Sequence, residues 1–87
     1  MNNRVYADLN NADANGRVRL NCVGTIADLA EQQIRLSEGL ALTLHCEDME
    51  ADGTVRYSPD ENIWVAEIDW DAIRHLPSEK LSEPQGR

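Results

Sequence analysis

The sequence predicts a small, mainly β fold in which five short strands form a partly open barrel, with one short α-helix and a C-terminal helical turn. Three observations favour this class. Apolar and polar residues alternate in several segments, as in strands that bury one face. Groups of Gly, Asn, Asp and Pro separate these segments. The 87 residues leave room for one core, and closing a small sheet protects its edges.

Two segments near the N-terminus show the alternation first. Their predicted inward positions are Val5, Ala7, Leu9, Val18, Leu20 and Cys22. Residues 10–16 lie between the two segments and contain the Asn, Asp and Gly that favour turns. We therefore expect a hairpin in which Asp8 lies opposite Arg17 or Arg19 and pairs with it.

A short helix is predicted over residues 26–35. Thr25 and Asp28 have the spacing of a capping box, in which the first side chain caps the helix and the acid reaches back to the cap. The expected apolar stripe consists of Ile26, Leu29, Ala30 and Ile34. We expect this stripe to face the core.

Three further strands are predicted, over residues 40–46, 54–57 and 63–70. The acid-rich residues 47–53 are expected to form a mobile connection, since their like charges repel. Asp71 is expected to cap the final helical turn, which Pro77 ends. The chain should thus form a single small β-barrel domain over residues 1–77 and a disordered C-terminal tail over residues 78–87.

This layout resembles an SH3-like barrel over residues 4–70. The resemblance rests on the Gly39 turn before an alternating strand and on Gly53-Thr54-Val55 before a hairpin that carries tryptophan. The strings VYAD at 5–8 and RVRLNC at 17–22 also resemble short bacterial proteins of uncharacterised function. These resemblances imply a fold and carry no activity, cofactor or site residue.

The charge balance limits the possible partners. Sixteen acids oppose eight Lys and Arg, and the formal net charge is −8. A chain of this charge repels nucleic acids, because their binding depends on Lys and Arg that displace counterions, and it is repelled by acidic membrane surfaces. With few cysteines and no apolar leader or spanning segment, the expected location is the cytoplasm.

One loop carries part of a calcium-binding pattern. Asn11, Asp13 and Asn15 supply oxygens at positions 1, 3 and 5 of an EF-hand loop, and Gly16 follows at position 6. Position 12, where a Glu should bind the ion, is Cys22. We expect a polar turn and no bound metal or other cofactor, with a cation-binding loop as the alternative.

The sequence shows neither the residue spacing of a zinc site nor the residue set of a nucleophilic active site. The soft metal ligands Cys22, His45, Cys46 and His75 lack the paired spacing of a zinc site, and no Ser or Cys is placed with a His and a carboxylate. The aromatic residues Tyr57, Trp64 and Trp70 suit either a stacking platform or the core, and we expect them in the core because the chain contains no Phe. We therefore predict a protein without enzymatic activity.

The acidic segment is the remaining candidate site. Nine acids and one Arg lie between Glu47 and Asp71. The predicted partner-binding residues are Glu47, Asp48, Glu50, Asp52, Asp60 and Glu61. We expect a protein–protein interaction module whose partner is a protein of basic charge. The alternatives are an acidic decoy that blocks a nucleic-acid-binding protein, and a solvated surface without a partner.

Overall fold

The computed structural model describes residues 3–75 and shows one mainly β unit with a single α-helix. Its elements are β1 (Arg4–Tyr6), β2 (Val18–Arg19), α1 (Val23–Glu31), β3 (Ala41–Cys46), β4 (Met49–Ser58), β5 (Ile63–Ile68), a 3₁₀ turn (Trp70–Ala72) and β6 (Arg74–His75). The mainly β prediction is confirmed. The tail predicted over residues 78–87 lies outside the described residues. Within residues 3–75, no helix has the length and apolar character that a membrane crossing requires.

The six strands form one sheet that is not closed. Its order is β1-β3-β4-β5-β2, and β6 pairs with β4 beside β5. The long strand β4 pairs with β3 along one side and with β5 and β6 along the other. Strands β1 and β2 lie at opposite edges of the sheet, so the sheet has two ends where a closed barrel would have none. Strand β4 also begins at Met49, inside the segment predicted to be a mobile connection.

The predicted hairpin between the first two strands is wrong. β1 runs parallel to β3, with Val5 opposite Leu44, whereas β2 is antiparallel to β5, with Val18 opposite Ala66. A smaller hairpin forms nearer to β2, where Ala12 pairs with Val18. Residues 10–16 between the two strands are rich in Asn, Asp and Gly, which favour a tight turn close to β2. The antiparallel partner of Val18 in this turn is therefore Ala12, and β1 pairs with β3 instead.

The predicted charge pairs of that hairpin are also different. Arg17 pairs with Asp13 at 3.0 Å, and Arg19 pairs with Glu61 at 2.8 Å. Asp8 instead accepts the backbone N–H of Asn10 at 3.0 Å. Both arginines therefore stabilise the loops around β2.

The predicted inward positions of the first two segments are buried, except at Cys22, but in β5 the neighbours Val65 and Ala66 are both buried, so the alternation fails there. The core cluster consists of Val5, Ala7, Leu9, Val18, Leu20, Leu29, Leu42, Leu44, Cys46, Val55 and Ala66. Cys22 was expected to face inward, but it is half-buried at the N-cap of α1. The strands determine the core because a period of two is a local property of each extended segment.

Helix α1 begins three residues earlier than predicted, and the capping box is absent. Thr25 lies buried within the first turn, and its Oγ1 is 2.9 Å from Sγ of Cys22. The side chain of Ile26 is 55% exposed, and Ala30 is also exposed. The buried face of the helix is therefore formed by Thr25 and Leu29. The predicted stripe is confirmed at Leu29 and wrong at Ile26 and Ala30, and Ile34 packs against the core from beyond the end of the helix.

The same helix protects the free edge of β1. Asp28 Oδ2 accepts the backbone N–H of Tyr6 at 2.8 Å. One turn later, Gln32 Nε2 donates to the carbonyl oxygen of Arg4 at 2.8 Å. Unpaired backbone groups at a sheet edge invite association with other strands. The two side chains satisfy this edge, which explains why Asp28 is not available to cap its own helix.

Strand β5 ends two residues before the predicted boundary. Asp69, and not Asp71, caps the following turn, since its Oδ1 accepts the backbone N–H of Asp71 at 3.0 Å. The chain then returns to the sheet, where His75 of β6 lies opposite Met49. The turn removes Trp70 from the alternation of β5.

Candidate functional site

The six acids of the predicted binding surface do not form one patch. Glu47 and Asp48 lie in the turn before β4, whereas Asp60 and Glu61 lie in the turn after it. Ten extended residues separate these turns, which corresponds to about 30 Å. The remaining two acids, Glu50 and Asp52, lie on β4 itself. A partner would have to span the whole strand to contact all six.

Three of these acids are already neutralised by arginine. Glu50 forms ion pairs with Arg4 at 2.5 Å and with Arg74 at 3.2 Å, and Asp52 pairs with Arg74 at 3.2 Å. Glu61 accepts two hydrogen bonds of 2.8 Å from Arg19.

The pKa values of the neutralised acids respond accordingly. Hydrogen bonds from the arginines, Arg4 foremost, lower the pKa of Glu50 despite its partial burial, and those from Arg19 lower the pKa of Glu61. Because these carboxylates form ion pairs within the chain, they attract a basic partner less strongly than unpaired carboxylates would.

The partial calcium loop is organised around Asp13. Its Oδ1 accepts the backbone N–H groups of Asn15 and Arg17, both at 2.9 Å, and its Oδ2 accepts Nε of Arg17 at 3.0 Å. Asn11 directs its Oδ1 to Arg19 at 3.1 Å. A cation would have to displace these donors. Among residues 3–75, no three side chains of His, Cys, Asp or Glu are grouped as metal ligands.

We expect the replacement of Asp13 by alanine to destabilise the protein by about 1 to 2 kcal/mol, because it removes a side chain that is only 4% exposed and leaves the N–H groups of Asn15 and Arg17 without their acceptor. Burial raises the pKa of Asp13, but the hydrogen bonds from Arg17 and Asn15 outweigh it, so the pKa falls below its ordinary value of 3.8. This contribution is present above the unfolded-state pKa and is lost as the pH falls through the lower folded-state pKa. In urea denaturation, the gap between the wild type and Asp13→Ala should be constant above about pH 5 and narrow below about pH 4. A gap that widens on acidification would contradict this role.

The thiols and imidazoles are dispersed. Cys46 is buried and Cys22 is half-buried, and both are free thiols. Burial raises the pKa of Cys22, but hydrogen bonds from the hydroxyl and backbone of Thr25 and from nearby N–H groups lower it overall. His45 packs edge-to-face on Tyr6, with ring centroids 6.0 Å apart, and lies 3.8 Å from Asp28. His75 lies on the two-residue strand β6. These contacts place no thiol or hydroxyl nucleophile beside an imidazole in the described part of the chain.

The aromatic residues divide into two groups. Trp64 packs against the core, as predicted, and meets Tyr57 edge-to-face at 5.1 Å. Tyr57 and Trp70 are 38% and 44% exposed, respectively, so their placement in the core is wrong. Trp70 is exposed because the turn capped by Asp69 carries it away from the buried face of β5. An Asp before Trp70 is a common start for a helical turn, and that signal was present in the sequence.

Trp70 is held against the loop that precedes β2. Its indole Nε1 donates to the carbonyl oxygen of Gly16 at 2.7 Å. Gly16 has a φ of 77°, a left-handed conformation that favours glycine. Asp13 fixes this loop through the hydrogen bonds described above, so two distant parts of the chain meet at one defined contact.

This contact forms the wall of a cleft of about 470 Å³. The cleft is lined by Asn15, Gly16, Arg17, Glu67, Ile68 and Trp70. The cleft lies beside the end of β5. Strand β5 extends to Ile68, but β2 pairs with it only at Val65 and Ala66. Its lining combines an aromatic ring and an aliphatic chain with charged and amide groups, a composition typical of binding sites.

The Trp70 cleft is therefore the candidate functional site. The sequence indicated its parts separately, Asn15 and Gly16 as turn residues and Trp70 as a core residue, and did not bring them together. The chain matches no protein-family model, and comparisons with curated proteins and with solved structures return no significant match. The assignment of this site rests on its geometry.

Proposed function

We propose that this protein is a non-enzymatic protein–protein interaction module that binds its partner at the Trp70 cleft. The observation that carries this proposal is that Trp70 is 44% exposed to solvent while its indole is held in place by a hydrogen bond to Gly16. Tryptophan is enriched among the residues that dominate binding energy at interfaces. A side chain that is already held loses less conformational entropy on binding, which favours affinity.

Another exposed apolar surface lies on α1, where Val23 is 85% and Ile26 is 55% exposed. These residues project from the convex surface of a helix and are not part of the lining of the Trp70 cleft. The cleft offers a concave surface with polar groups that can orient a ligand. We therefore favour the Trp70 cleft over α1 as the docking surface.

The acidic-decoy alternative has less support. Glu50, Asp52 and Glu61 form ion pairs within the chain, and the other predicted acids lie at the two ends of β4. A decoy needs unpaired negative charges arranged along one face to imitate phosphates. The SH3-like resemblance remains a prediction, and the proposed function does not depend on it. We also propose a cytoplasmic location, since both Cys22 and Cys46 are free thiols.

The test is co-purification with the wild-type protein, with Trp70→Ala and with Val23→Ser as a control for another exposed apolar side chain. We expect the identified partner to bind Trp70→Ala at least about tenfold more weakly, as for the loss of an interface hot spot, and to bind Val23→Ser unchanged. The urea midpoint of each variant should establish that it is folded. Amide shifts induced by the partner should fall at 15–17 and 67–70.

A partner that binds the wild type and Trp70→Ala equally would contradict this proposal. A footprint on α1 would do the same and would assign the function to the helix. If the partner binds nucleic acid and is lost on neutralisation of Glu47, Asp48 and Asp60, the decoy alternative would replace the proposed function.

A further inference from the structure

We infer that the partner segment entering the Trp70 cleft is basic, with an Arg or Lys side chain lying against the face of the Trp70 indole. This inference rests on the proposed function and names the chemistry of the partner. It follows from three features of the cleft: the charges around Trp70, the part of the indole that is free, and the commitment of the neighbouring arginines.

Acidic residues surround Trp70. Glu67 lines the cleft, and Asp69 and Asp71 flank Trp70 in the chain, with all three exposed. The whole chain carries a formal net charge of −8. An approaching cation is therefore attracted both by the overall field and by the carboxylates beside the cleft, whereas an acidic segment is repelled.

The neighbouring arginines do not cancel this attraction. Arg17 directs its guanidinium to Asp13, with contacts at 3.0 Å, and only 22% of its side chain is exposed. Arg56 contacts Glu67 at 3.3 Å and Glu38 at 3.5 Å, so it is shared between two acids. Asp69 and Asp71 form no ion pair among the described residues. On both sides of Trp70 the chain thus carries a carboxylate that no arginine of the described residues pairs with.

The indole N–H of Trp70 is already used. It donates to Gly16, and Trp70 lines the cleft, so what the ring can offer a ligand is its apolar and π surface. A cation within about 6 Å of the centre of an indole ring is attracted by the ring quadrupole. The planar guanidinium of Arg can also stack on the ring while it donates to carboxylates. Arg is therefore expected to bind more tightly than Lys.

The test uses two synthetic peptides, acetyl-Gly-Arg-Gly-Arg-Gly-amide and the same peptide with citrulline in place of both arginines. Citrulline has nearly the shape of Arg without its charge. Titrations at about 0.1 M salt, where the Debye length is about 10 Å, should move the amide signal of Gly16 and the indole N–H signal of Trp70. We expect the citrulline peptide to bind about fivefold more weakly or worse, as for the loss of a cation–π contact.

Matched variants separate the local site from overall charge. Glu67→Gln with Asp71→Asn removes two acids beside the cleft, and Glu31→Gln with Asp60→Asn removes two exposed acids elsewhere. Both pairs change the net charge equally. We expect the first pair to weaken the Arg peptide at least about threefold and the second pair to have a much smaller effect, because exposed charges beyond a Debye length are screened. Trp70→Leu, which keeps an apolar side chain without the π face, should weaken the Arg peptide by a larger factor than the citrulline peptide, because only the Arg peptide loses a cation–π contact.

Equal weakening by the two charge-neutralising pairs would overturn the inference, because it would show attraction by net charge alone. Equal affinity for the two peptides would overturn it as well. If neither peptide binds, and the co-purified partner still depends on Trp70, the inference is wrong and the proposed function stands. If the Arg peptide binds at Trp70 but the partner does not depend on Trp70, the proposed function fails instead.

Discussion

Replacing Leu44 with alanine is expected to destabilise the protein by about 2 to 5 kcal/mol, the range for buried Leu→Ala changes that leave a cavity. Leu44 is fully buried and is the largest such side chain in the described part of the chain. It lies in the centre of β3, opposite Val5 of β1 and Ala51 of β4. Because strands hold β3 on both sides, the backbone has little freedom to close the cavity. Urea denaturation should report the loss as a lower midpoint with an unchanged slope.

Ile26→Ala provides a matched control for this change, because it removes a similar aliphatic volume from a side chain that is 55% exposed. We expect it to change the free energy of unfolding by less than about 0.5 kcal/mol. Comparable costs at the two positions would mean that α1 packs on a surface different from the one described. Should Leu44→Ala fail to fold, Leu44→Val would retain part of the side chain and should still cost more than Ile26→Ala.

Gly24→Ala is expected to destabilise the protein by up to about 2 kcal/mol, because overpacking a filled site costs about 1 to 3 kcal/mol and the helix preference of alanine over glycine offsets about 1 kcal/mol of this cost. Destabilisation is unusual for this change, since alanine in place of glycine normally favours a helix. A Cβ added at Gly24 would lie 2.7 Å from Cδ2 and 3.1 Å from Cε2 of Tyr6. The ring of Tyr6 would have to move, and its backbone N–H is bound to Asp28 of the same helix.

A double-mutant cycle with Tyr6→Ala isolates this contact. Without the ring, Gly24→Ala should become neutral or stabilising, because only the helix preference remains. Thermal or urea denaturation of the four proteins gives the coupling free energy between Gly24 and Tyr6. A Gly24→Ala variant that is more stable than the wild type would show that α1 lies further from β1 than the structure places it.

The candidate site is formed by contacts between residues that are far apart in the sequence, whereas the buried positions of the core follow from patterns within single segments. Glu50 and Arg4 are 46 residues apart, and Trp70 and Gly16 are 54 apart. The sequence shows an excess of acids between Glu47 and Asp71, but it cannot show which of them meet an arginine. The structure pairs Glu50, Asp52 and Glu61 with arginines and places Glu67 and Trp70 in the lining of a cleft. The proposed binding surface therefore lies at the end of β5 and not along β4.

The sequence by itself determined much of the buried face of the strands, because the alternation at Val5, Val18, Leu42 and Leu44 is a property of each extended segment. It also determined the mainly β class and the need for a turn around Gly16. It did not indicate the burial of Val65 beside Ala66. Only the tertiary structure decided that β1 pairs with β3, that the sheet stays open, and that Trp70 meets Gly16. Strands pair through backbone N–H and C=O groups, which are the same in every strand. The local sequence therefore specifies which face of a strand is buried, but it does not specify which strand lies beside it.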